Sequence, residues 1–111
     1  MAYPKRVRFE AVRELGFAAI PAAYTAVGTA ALQPIRLVRI SNTTNQDVYI
    51  SIDGVTNHLR IVTGSFILLD FTANKVRDDG FFMDTGTVFY VKRTGAAPTS
   101  GNVIIEVIYA R

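Results

Sequence analysis

Residues 35–54, IRLVRISNTTNQDVYISIDG, decide the fold. In the first part Ile35, Leu37 and Arg39 point one way and Arg36, Val38 and Ile40 the other, as successive side chains do along a β-strand. Neither face of that strand is wholly polar. In the second part Val48, Ile50 and Ile52 share one face, with Tyr49 and Ser51 opposite, and the run stops at Asp53-Gly54. That dipeptide signals a turn because glycine takes up positive φ without steric cost.

Working outward, a third strand is expected from His58 to Val62, closing a hairpin around Asp53 to Asn57, and Gly64 introduces a fourth in SFILLDF (65–71). NKVRDDG (74–80) reads as a charged loop and FFMDTG (81–86) as a short edge strand or bend. TVFYVKR (87–93) reads as a strand, TGAAPTSG (94–101) as a polar hairpin loop, and NVIIEVIYA (102–110) as a strand rich in β-branched residues. Short strands parted by Gly, Asn, Asp and Pro clusters predict an all-β domain. The expectation is an antiparallel β-sandwich, jelly-roll-like or Ig-like, of about seven strands over residues 21–111, with a small barrel as the alternative. Residues 1–20 form either an extended N-terminal arm or a first strand. Over 7–20 a short helix competes with the arm, which is preferred because the following alanine-rich PAAYTAVGTAAL gives little bulk to fix an independent helix.

At 111 residues the chain matches one domain. Half of it is hydrophobic and only 19% is charged, an apolar surplus that subunit contacts could absorb. With no cysteine, disulfides, thiolate metal sites and thiol nucleophiles are excluded. A formal charge of +3 is a weak basic bias, and no specific nucleic-acid binding is expected from it. No run approaches the roughly 20 apolar residues of a membrane span, so a soluble domain without a membrane partner is expected. GFAAIPAAYTAVGTAAL (16–32) imitates a signal peptide, but Glu10 and Glu14 precede it and Pro21 interrupts it.

Signs of chemistry are weak. His58 is the single histidine, and a Ser-His-Asp relay would need Asp53 or Asp70 as orienter and Ser51 or Ser65 as nucleophile, with no motif to support it. Asp78, Asp79 and Asp84 surround Gly80 without calcium-loop spacing, and Asp70 with Glu106 is a carboxylate pair of no specificity. No phosphate-binding glycine motif occurs. Tyr49, Phe89 and Tyr90 with Arg36, Arg39, Lys92 and Arg93 could make an aromatic, basic single-strand binding face, although strand aromatics more commonly pack across strands. No catalytic residue, metal site or cofactor is expected, and the chain is not read as an enzyme.

The interface candidates are Arg6, Arg8, Phe9 and Arg13, and the patch Phe81, Phe82 and Met83. The first group alternates charge with apolar teeth, as a segment lying along a neighbour or adding to a sheet edge would. Three consecutive bulky residues in the second cannot all face one side of a strand. Deletion of residues 1–14 is expected to spare the fold and abolish assembly.

The stretches RISNTTNQDVYISIDGVTNHLRIVTGSFILLDFTANKV (39–76) and FFMDTGTVFYVKRTGAAPTSGNVIIEVIYAR (81–111) resemble small structural proteins of tailed bacteriophage particles. The resemblance covers about residues 35–111 and contains no catalytic signature. It implies a virion protein, assembled in the host cytoplasm: a head-tail neck or collar protein, a capsid decoration protein or a tail-associated protein. The implied partners are copies of itself and other phage structural proteins of the portal, neck, capsid or tail. A glycan or cell-surface binding module is the alternative of another class.

Overall fold

The computed structural model describes residues 7–71 and 83–110. These residues are all-β, in two antiparallel sheets consistent with a β-sandwich. The larger sheet contains β1 (Val7–Phe9), β2 (Arg13–Gly16), β4 (Leu37–Asn42), β7 (Ser65–Asp70) and β9 (Asn102–Ala110). The smaller contains β3 (Thr25–Ala26), β5 (Val48–Ser51), β6 (Leu59–Ile61) and β8 (Tyr90–Arg93), in the order β3-β8-β5-β6. In the larger sheet β4 lies between β7 and β9, and the far side of β9 is shared by β1 and β2.

The inward faces are β-branched. Val38 and Ile40 of β4 stand opposite Val107 and Ile105 of β9, and Val48 and Ile50 of β5 stand beside Ile61 of β6 and Val91 of β8. All are buried in one cluster that Ile20, Val27, Ala31, Ile35 and Phe89 complete. Branched side chains lose little rotamer freedom on a pleated face, which is why these stretches become strands.

Nine strands occur among the described residues, against about seven expected. β1, β2 and the two-residue β3 are too short or too interrupted to show a period, while of the expected edge strand at FFMDTG (81–86) the described residues 83–86 contribute only a bridge at Met83. Within the segment read as an arm or a first strand, β1 and β2 pair with β9 of the same chain. Phe9 stands opposite Ile108 and Arg13 opposite Ile105, so four steps on the N-terminal segment match three on β9. This is a β-bulge at Ala11–Val12, and its extra residue sends both Glu10 and Arg13 inward. Deleting residues 1–14 would therefore strip β1 and this pair from the sheet, which makes that deletion a test of stability as much as of assembly.

The expected face of the decisive strand also changes. Ile35 forms an isolated bridge with Met83, and Ile35 and Val38 are both fully buried, because a bend at Arg36 resets the alternation. Ile52 lies past the end of β5 and is exposed, whereas Ser51 is buried. The hairpin after β5 does close at Asp53-Gly54, with Gly54 at φ 77.

Candidate protein interface and the N-terminal edge

Register defines the outward face of the larger sheet. Its middle row holds Leu68, Arg39 and Glu106 side by side on β7, β4 and β9. One row away lie Asp70, Leu37, Ile108 and Phe9, and on the other side Phe66, Ser41, Ile104 and Glu14. Phe9, Phe66 and Leu68 are 70%, 62% and 54% exposed, and Leu37, Ile104 and Ile108 are half-buried. Scattered apolar residues on a surface are ordinary, whereas apolar side chains recurring in three rows across four strands, among Arg39, Glu106, Asp70 and Glu14, make this face the candidate for a protein contact.

Charge sits at the centre of this face. Arg39 donates from Nε to Glu106 Oε1 at 2.8 Å, and its guanidinium carbon lies 5.8 Å from the centre of the Phe66 ring. Both partners are largely exposed, so the pair adds at most about 1 kcal/mol to the isolated chain.

At the N-terminal edge the chemistry is internal. Arg13 is 6% exposed, donates to Glu10 at 2.7 Å, and reaches the carbonyls of Thr29 at 2.8 Å and Ala30 at 3.2 Å. Glu10 accepts the backbone N–H groups of Leu32 and Gln33. Burial pushes its carboxyl up, but Arg13 and these N–H groups outweigh it and hold the carboxyl below its ordinary value. The pair clamps the bulge to the loop at 28–33, and a Cβ on Gly28 would come within 2.7 Å of Arg13 Cγ. A cleft of about 560 Å³ opens beside it, lined by Phe9, Val12, Leu32 and Tyr109 among others.

The interface candidates thus separate. Arg8 and Phe9 are exposed on β1, Arg13 is consumed inside the chain, and Met83 is half-buried against the core. Arg6, Phe81 and Phe82 lie outside the described residues. The outer-face residues Leu37, Phe66, Leu68, Ile104 and Ile108 were missed as candidates. Their signal was present in SFILLDF, apolar on both alternating faces, as in a strand covered on both sides.

Ser51, Asp53 and His58 do meet, but as a turn. The Ser51 hydroxyl donates to Asp53 Oδ1 at 2.7 Å and accepts the N–H groups of Asp53 and Gly54, while His58 Nδ1 accepts the N–H of Ile52 at 3.1 Å. Ser51 Oγ lies 3.5 Å from His58 Nδ1 and His58 Nε2 4.0 Å from Asp53 Oδ2, but the shorter contacts run from the hydroxyl to the carboxylate and from the Ile52 N–H to Nδ1, so these three side chains serve the turn. The N–H groups of Thr56 and Val55, with the Ser51 hydroxyl, hold the Asp53 carboxyl well below its ordinary range. Ser65 and Asp70 are on β7, in the other sheet.

Asp78 and Asp79 lie outside the described residues, among which no group of three His, Cys, Asp or Glu side chains is gathered as a metal ion would need. Of the aromatic and basic candidates, Phe89 is buried and Arg36 and Arg39 belong to the larger sheet's side. Tyr49 and Lys92 are paired across β5 and β8, with Tyr90 diagonal to Tyr49. Lys92 Nζ stands 4.8 Å from the Tyr24 ring centre and 5.7 Å from that of Tyr49. Among the described residues no helix is long and apolar enough to cross a membrane. Comparison of the chain with protein-family models, with curated proteins and with solved structures finds no match.

Proposed function

We propose that the chain is a structural protein of a tailed-bacteriophage particle, acting through contacts with other protein subunits at the head-tail neck or collar. The observation that carries the subunit-contact reading is the apolar outward face of the larger sheet, which leaves Phe9, Phe66 and Leu68 in water in the isolated chain. Burying each such side chain would contribute about 1.5–3 kcal/mol before the costs of association. The phage assignment rests on the strand pattern of residues 35–111 described above. On this reading the two sheets are a jelly-roll-like or Ig-like sandwich, and capsid decoration or a tail position is the alternative placement.

Mass measurement of purified particles tests the reading through copy number. Roughly five, six or twelve copies, as a closed axial ring allows, are expected, whereas hundreds would move the protein to the capsid surface. Its absence from particles would overturn the proposal. A second reading, a glycan or cell-surface ligand site, is favoured by one observation: Tyr24, Tyr49 and Tyr90 are half-buried around Lys92 on the smaller sheet. Saturable glycan binding by the isolated chain that is lost in Tyr49→Ala would favour it.

A further inference from the structure

The turn that joins β5 to β6 needs both residues of Asp53-Gly54. Gly54 sits at φ 77, and a Cβ there would meet nothing closer than the Tyr90 ring at 3.5 Å, so conformation and not space requires glycine. Asp53 is needed as an acceptor: its Oδ1 takes the N–H groups of Val55 and Thr56, both at 2.8 Å, and the Ser51 hydroxyl at 2.7 Å. The turn is therefore built from a dipeptide prone to rearrange its own backbone, since glycine has no side chain to shield the amide nitrogen that follows the aspartate. In that reaction the Gly54 nitrogen attacks Asp53 Cγ, the N–H proton departs with the carboxyl hydroxyl as water, and a five-membered imide forms. Water then opens the ring, and opening at the former main-chain carbonyl leaves an isoaspartyl link through the β-carbon. One water is lost and one regained, with no change of oxidation state.

We infer that Ser51 and the amides after Gly54 guard this peptide against that modification, by holding the Gly54 N–H and the Asp53 carboxylate in bonds that must break before the two can react. Ser51 Oγ accepts the N–H groups of Gly54 at 3.0 Å and Asp53 at 3.2 Å while donating to Asp53 Oδ1, so one hydroxyl restrains nucleophile and electrophile together. Ser51 is buried but Asp53 is exposed, so the guard is the set of bonds and not exclusion of water. The carboxyl reacts in its neutral form, and the donors from Thr56, Val55 and Ser51 keep it ionised well below its ordinary range. The titratable groups facing it are His58, with Nε2 4.0 Å from Oδ2, and Tyr24. An isoaspartyl link would add a backbone carbon between β5 and β6. The register Val48–Ile61 and Ile50–Leu59, which seats Val48, Ile50 and Ile61 in the core, would then have to shift.

The full chain, folded in buffer or unfolded in urea, is aged in warm, mildly acidic solution, and peptide mapping by mass spectrometry measures isoaspartate at position 53. The folded chain is expected to accumulate it at least about tenfold more slowly, because a neutral and a charge-assisted hydrogen bond must be given up together. Folded Ser51→Ala, checked by circular dichroism, is expected to react at least about fivefold faster than folded wild type. Ser51→Thr, which restores the hydroxyl, is expected to keep the wild-type rate. Equal rates in folded and unfolded wild type would overturn the inference, as would a folded Ser51→Ala that reacts no faster than wild type. A Ser51→Thr chain as fast as Ser51→Ala would overturn the role of the hydroxyl. Should Ser51→Ala fail to fold, the wild-type comparison decides.

Discussion

Replacing Arg13 by methionine keeps most of the aliphatic bulk and removes the charge that the core-facing side of the bulge depends on. The guanidinium gives up its bonds to Glu10, Thr29 and Ala30, and Glu10 keeps only the N–H groups of Leu32 and Gln33 in a site where Arg13 itself was 6% exposed. Breaking one side of a buried ion pair costs about 3–5 kcal/mol, because the remaining charge is left without its partner. For a domain of this size, with a total stability of about 5–15 kcal/mol, that corresponds to a melting temperature lower by about 12–20 °C. Urea and thermal unfolding followed by circular dichroism read the loss directly. The double change Glu10→Gln with Arg13→Met is expected to recover part of it, since no unpaired charge remains. The depressed carboxyl of Glu10 stabilises the wild type above its unfolded pKa of about 4.3, a contribution lost as pH falls through the lower folded value. In Arg13→Met the largest lowering influence is removed while the N–H groups of Leu32 and Gln33 remain, so this acid-dependent loss shrinks. A single mutant within 1 kcal/mol of wild type would refute the clamp and return Arg13 to the surface.

Gly101→Ala is expected to destabilise by at least about 2 kcal/mol in the same assay, because the residue sits at φ 85 and its Cβ would fall 2.0 Å from the Thr43 carbonyl oxygen. Asn42→Ala should cost about 2–3 kcal/mol: the buried side chain donates to the carbonyls of Gln46 and Ile61 and accepts from Thr44, leaving those groups unsatisfied when it is removed. In an NMR titration the Asp53 carboxyl is expected to titrate well below 3.9, and Ser51→Ala should raise its midpoint by deleting one of the donors. Since the folded value is the depressed one, the turn's contribution is present above about pH 3.9 and is lost as pH falls through the folded midpoint.

What the chain spelled out depended on whether neighbouring residues along the strand answered to one face at a time. β5 was readable because Val48 and Ile50 alternate with Tyr49 and Ser51 before a turn, and β7 and β9 because unbroken apolar runs stand between turn residues. β1 and β2 were not, because the bulge at Ala11–Val12 breaks the period and makes Glu10 and Arg13 look like an exposed charged pair when both turn inward. Arg13 read as a docking residue for the same reason: charge alone cannot tell a guanidinium in water from one held by Thr29 and Ala30, which lie 16 and 17 residues further along the chain in no periodic relation. The bend at Arg36 misled in the opposite sense, giving Ile35 the phase of Leu37 when it belongs with Val38 in the core. The outer face was half legible, since apolar residues on both sides of SFILLDF announce a covered strand, but its assembly into rows needed the pairing of β4 with both β7 and β9.

The position of β9 bears on how the chain comes to be folded. It pairs with β1, β2 and β4, so the earliest and latest of the described strands are hydrogen-bonded neighbours and the larger sheet has no centre until residues 102–110 are available. Contacts so distant along the chain close slowly, since the entropy of bringing the ends together is lost before the packing of Val103, Ile105 and Val107 is gained. During synthesis β4 and β7 can form only a two-stranded ribbon of the larger sheet, with both of its edges unpaired. A chain shortened within β9 would remain in that state, a substrate for proteolysis or edge-to-edge aggregation, so only finished copies enter the pool from which an assembly is drawn.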